Sequence, residues 1–67
     1  MQNILNPIIN YLIKKQTTAF DSAVDNEKLA IEQLQLIDLG VRKKDDYSPQ
    51  MVDLIDLVRI KKTINND

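Results

Sequence analysis

The residues in this chain whose types could do chemistry are few, and their spacing argues against each chemistry in turn. Histidine and cysteine are both absent, which removes the commonest general base, the thiolate nucleophile and the usual ligands of zinc. Ser22 and Ser48 are the only serines, and no base is spaced to activate either. Ser48 stands directly before Pro49, which suits a helix start: the hydroxyl accepts an early N–H, and proline sits where a donor would have no helical partner. That cap accounts for Ser48 without a nucleophilic role. A phosphate cradle needs several glycines so that the backbone can approach the ligand, and Gly40 is the only one.

Carboxylates are the remaining option for a hard cation, with Asp45 beside Asp46 and Asp53 three residues from Asp56. A calcium loop distributes its oxygen ligands about a glycine turn and closes on a bidentate acid, a pattern missing from this sequence. Asp53 in a first helical turn, with Arg59, Lys61 and Lys62 near the end of the same helix, also satisfies the helix dipole. The expectation is a non-enzymatic protein with no cofactor, no metal and no small-molecule substrate.

The elements that would position these residues are helices. Gly40 alone interrupts residues 8 to 48, both prolines sit near candidate starts, and strict apolar–polar alternation is missing. Asn6 and Pro7 read as an N-cap and first helical position. Ile8, Ile9, Leu12 and Ile13 then gather into one stripe on a 3.6-residue period. Asp21, Ser22, Asp25 and Asn26 each offer a cap for a second helix, which ends before Gly40, a residue suited to the left-handed position after a helix. A rival reading is one long helix with a seam through Ile9, Ile13, Gln16, Phe20, Ala23, Glu27, Ala30, Leu34, Ile37 and Val41. Gln16, Glu27 and the two alanines are poor knobs for such a seam, so two helices are favoured. Ser48 and Pro49 open the last helix, whose polar strip of Asp53, Asp56, Arg59 and Thr63 is narrow. The predicted architecture is a single all-α domain of three helices, about 7–18, 24–39 and 49–64, with frayed residues 65–67. Its last two helices form a C-terminal antiparallel hairpin and the first packs across them.

Size bears on how such a bundle is completed. A chain of 67 residues buries only about 60% of the surface its unfolded form exposes. Lacking disulfides and a structural metal, it has association with another chain as its remaining common stabiliser. The expectation is therefore a protein–protein interaction module, a homodimer acting as a small regulator, adaptor or assembly factor. Ile9, Ile13, Phe20, Leu34, Ile37 and Leu57 are its candidate interface, and another protein is a possible further partner.

Charge supplies the alternative. Nine basic and ten acidic residues leave a net charge of −1, so no global field attracts nucleic acid. A local basic face from Arg42, Lys43, Lys44, Arg59, Lys61 and Lys62 defines a nucleic-acid-associated regulator as the second reading. Asp45 and Asp46 weaken it, three aromatics give little stacking surface, and the connector after Gly40 is too long for a helix-turn-helix. Membrane association is not expected, because the polar face of the first helix is nearly neutral and Ile4 to Ile13 is too short and polar for a span. Lys14 and Lys15 follow the apolar stretch, unlike the order in a secretory signal. Together with the absence of cysteine this suggests a cytoplasmic location.

Overall fold

The computed structural model describes residues 4–21 and 23–65. Among them are three α-helices and no strands: α1 is Leu5–Thr17, α2 is Asn26–Asp38 and α3 is Pro49–Asn65, with a single 3₁₀ turn at Lys44–Asp46 before α3. The all-helical domain and the three-helix division predicted from the sequence are both present.

The helix boundaries follow from local hydrogen bonding. α1 begins two residues earlier than the Asn6–Pro7 signal implied, with Ile4 at the cap and no side-chain cap bond. Pro7 thus occupies the third helical position, which is as harmless as the first because N–H groups throughout the opening turn lack helical acceptors. Freed from capping, the Asn6 amide donates across the molecule to Asn65 Oδ1 at 2.7 Å. At the other end, the Thr17 and Thr18 hydroxyls bond back to the carbonyls of Lys14 and Lys15. Tighter turns follow, with the N–H groups of Ala19 and Phe20 reaching Gln16 and Thr17. Such competition from threonine hydroxyls and three-residue turns stops the helix and rules out the continuous seam.

Asp25 then caps α2, accepting from Lys28 N at 3.1 Å; Ser22, another candidate cap, lies outside the described residues. Asp21 Oδ1 accepts from Ala23 N. Asn26, buried at the start of α2, donates to the carbonyls of Asp21 and Val24 and so ties the bend together. The end of α2 is a Schellman motif: Gly40 has φ of 79°, its N–H reaches the Ile37 carbonyl, and Val41 N–H reaches Leu36. Ser48 Oγ accepts from Met51 N at 3.3 Å, which is the α3 cap expected from the Ser-Pro pair. Asn65 remains helical and bonds to the Lys61 carbonyl, while residues 66 and 67 of the expected frayed end lie outside the described residues.

One core joins the three helices. Met51, Leu54, Ile55 and Val58 occupy one stripe of α3 and meet Ile9 and Ile13 from α1 and Ala30 and Leu34 from α2. α1 and α2 each pack mainly on α3 and barely on each other. Hydrogen bonds fix the sense of one pairing: Asn6 at the start of α1 reaches Asn65 at the end of α3, and Gln16 near the end of α1 donates to the Gln50 carbonyl at 3.0 Å. α1 therefore runs antiparallel along α3 rather than across it. α2 is tied to α3 by ion pairs, Glu27 to Lys61 and Asp38 to Arg59.

Truncating the fully shielded Ile55 to alanine should cost about 2–5 kcal/mol, most of the stability of a domain this size. A urea titration checks this by a large fall in midpoint. Gly40→Ala should lose about 1 kcal/mol through its positive φ alone, since no neighbouring atom lies within 4 Å of an added Cβ.

Candidate functional site

Packing uses only part of the apolar circumference of α1. At 100° per residue, Ile9 and Ile13 lie on the arc facing α3, while Ile4, Leu5, Ile8, Tyr11 and Leu12 occupy an adjoining arc of roughly 120°. That second arc stays in solvent: Ile4 is 80% exposed, Leu5 48%, Ile8 56%, Tyr11 60% and Leu12 42%. Side chains of those sizes leave roughly 600 Å² of largely apolar surface on one helix face, the upper end of what a typical monomer shows in one patch. The stripe carries no charge until Lys14 and Lys15 close the helix. Lys15 Nζ sits 5.8 Å from the centre of the Tyr11 ring, a cation–π contact at the stripe's end.

The molecule as a whole is correspondingly open. Its accessible surface is 5032 Å², against roughly 4,300 Å² expected for a folded monomer of its mass. Its radius of gyration is 12.1 Å, against about 11 Å for a well-packed domain of this length. Its principal extents are 36, 27 and 17 Å.

The candidate interface residues divide between the interior and its margin. Ile9 at 4%, Ile13 at 2% and Leu34 at 2% exposure belong to the chain's own core and have almost no surface to offer a partner. Phe20, Ile37 and Leu57 are partly buried against that core. In the sequence Ile8 and Leu12 gather with Ile9 and Ile13 into one stripe, which the fold divides into a buried and an exposed half. The missed signal was width: with Ile4, Leu5 and Tyr11 included, the apolar face exceeds half the circumference of α1, more than a single neighbouring helix covers.

Three of the six basic residues are ion-paired within the fold. Lys44 pairs with Asp56 at 2.9 Å, Arg59 with Asp38 at 2.9 Å and Lys61 with Glu27 at 2.8 Å. Each is at least partly exposed and contributes little stability by itself, yet each carboxylate offsets a charge that phosphate would have to recruit. Arg42 and Lys43 lie beside the exposed Asp45 and Asp46.

Two depressions border the Glu27–Lys61 pair. A cleft of about 970 Å³ includes Lys14, Thr17, Phe20 and Asp25, and a groove of about 290 Å³ includes Ile31, Leu34, Val58 and Lys62. Their polar walls are largely occupied internally: Asp25 by the Lys28 N–H, Thr17 by the Lys14 carbonyl and Glu27 by Lys61. Among the described residues no three potential metal ligands of the His, Cys, Asp or Glu type come together, and no helix is long and apolar enough to cross a membrane.

No family model, curated protein or solved structure matches this chain. The site therefore rests on its own geometry, and the stripe on α1 is its most distinct feature.

For duplex DNA, the paired state of Lys44 has a measurable consequence. Replacing Arg42 and Lys43 by alanine should lower the slope of log affinity against log salt by no more than about two. An unchanged slope in fluorescence anisotropy excludes the connector from any such contact.

Proposed function

We propose that this chain is a helical protein–protein interaction module that works as a homodimer, in the manner of a small regulator, adaptor or assembly factor. The observation that carries the reading is the uncovered arc of α1, five large apolar side chains wide and continuous with the core. Burying that arc on a copy of itself would remove up to about 1,200 Å² in total, enough to clear the roughly 1,000 Å² of a specific interface. The helix arrangement supports the same reading, because α1 packs mainly on α3 and barely on α2, and a helix of a second copy against α1 would complete a closed bundle. In this arrangement the α2–α3 hairpin expected from the connector backs α1, and the partner copy covers its other side.

The proposed role is binding without catalysis, a reading supported by the lack of histidine and cysteine and by the internal bonding of Thr17, Asp25 and Glu27 in the walls of the depressions. The ion-paired basic residues make nucleic acid the weaker alternative. A cytoplasmic setting, suggested by the lack of cysteine, belongs to the same proposal.

Sedimentation across a concentration series should show a dimer at micromolar concentration. Ile8→Asp should weaken it by roughly 100-fold, because each substitution is felt twice in a symmetric pair and a buried aliphatic side chain contributes about 1.5 kcal/mol or more. Helicity at high concentration should persist, since Ile8 lies outside the core. A wild-type chain that stays monomeric and fully helical throughout would refute the homodimer.

A further inference from the structure

We infer that the second copy lies antiparallel, α1 against α1, with the molecular two-fold axis passing beside Ile8. The inference rests on the self-association proposed above and adds its geometry, which two features of the stripe determine.

The first is positional symmetry. The exposed apolar residues stand at positions 4, 5, 8, 11 and 12, a set that maps onto itself when the helix is reversed about position 8. In an antiparallel pair Ile4 meets the partner's Leu12, Leu5 meets the partner's Tyr11, and Ile8 meets its own copy. Every apolar side chain thereby finds an apolar counterpart, as an isologous interface requires.

The second is charge. Within α1 the only ionised side chains are Lys14 and Lys15, at its C-terminal end. A parallel pair would bring four ammonium groups together beside the seam, with no carboxylate in α1 to neutralise them. Reversal separates the two lysine pairs by about 20 Å along the axis at 1.5 Å per residue, well beyond the screening length of about 8 Å at physiological salt. It also sets the two helix dipoles head to tail, the attractive arrangement. A heterologous contact, by contrast, leaves one apolar stripe exposed and continues into an open chain of subunits.

The absence of cysteine makes the test direct, because any introduced thiol is unique. Ile4→Cys, Ile8→Cys and Leu12→Cys all fall on exposed positions outside the core, and circular dichroism confirms that each variant folds. In a glutathione redox buffer, Ile8→Cys should form a disulfide-linked dimer. Ile4→Cys and Leu12→Cys should each remain unlinked alone, because like positions lie about 12 Å apart along the seam, outside disulfide reach. An equimolar mixture of those two variants should link as a mixed pair.

Linkage of all three variants on their own would establish a parallel seam and overturn the proposal. A dimeric wild type with no linkage at any position would place the interface elsewhere, overturning the geometry while sparing the homodimer. A monomeric wild type overturns both, and flotation of that monomer with anionic vesicles would assign the stripe to a bilayer surface instead.

Discussion

Leu54 and Ile55 are completely shielded from solvent, and the rest of the molecule depends on the stripe of α3 to which they belong. Met51, Leu54, Ile55 and Val58 recur at the spacing that gathers side chains on one helix face. α1 lies antiparallel to α3 and buries Ile9 and Ile13 in the shared core, while α2 contributes Ala30 and Leu34. Because α1 and α2 scarcely touch one another, α3 is the shared support of both. A short chain can build one such support and little more. What it leaves uncovered is consequently large relative to its size, and the outer arc of α1 is part of that remainder, with Val24, Ile31, Leu39, Val41 and Ile60 exposed elsewhere.

Polar contacts reinforce this arrangement at its edges. The Asn6–Asn65 and Gln16–Gln50 bonds fix the two ends of the α1–α3 pairing, and the Glu27–Lys61 and Asp38–Arg59 pairs hold α2 to the second half of α3. These ion pairs are half-exposed and energetically modest. Their value lies in register: each joins residues far apart in the chain, so that sliding one helix by a turn separates charges that otherwise neutralise each other. The same pairings engage Arg59 and Lys61, two cations of the basic face that the sequence suggests.

Helix punctuation was legible in the sequence because it is written in adjacent residues. Asp25, Gly40, Ser48 and Pro49 act as expected, through hydrogen bonds spanning only a few positions. The α3 core stripe was not legible in this way: the sequence shows the narrow polar strip of Asp53, Asp56, Arg59 and Thr63 but does not separate Met51, Leu54, Ile55 and Val58 from the other apolar residues of the helix. Asn6 was hidden too: a residue typical of helix caps is used instead for a bond to Asn65, a partner no local rule can supply. Partition of the α1 stripe was equally hidden, since periodicity shows which residues are apolar but not how much of a helix its neighbours will cover. Ile9 and Ile8 are adjacent and chemically identical, yet one is buried and the other is not. Only the position of α3 distinguishes them.

The antiparallel pairing of α1 with α3 also orders events during synthesis. Asn6 and Asn65 are separated by nearly the whole chain, so α1 leaves the ribosome long before the surface that shelters Ile9 and Ile13 has been made. Until α3 follows, both apolar arcs of α1 are open to water, to chaperones and to neighbouring nascent chains. The completed fold closes one of them. A helix that waits in this way has its sticky face presented twice, briefly in the unfinished chain and then lastingly on the mature surface, and assembly between chains translated side by side could begin before either has finished folding.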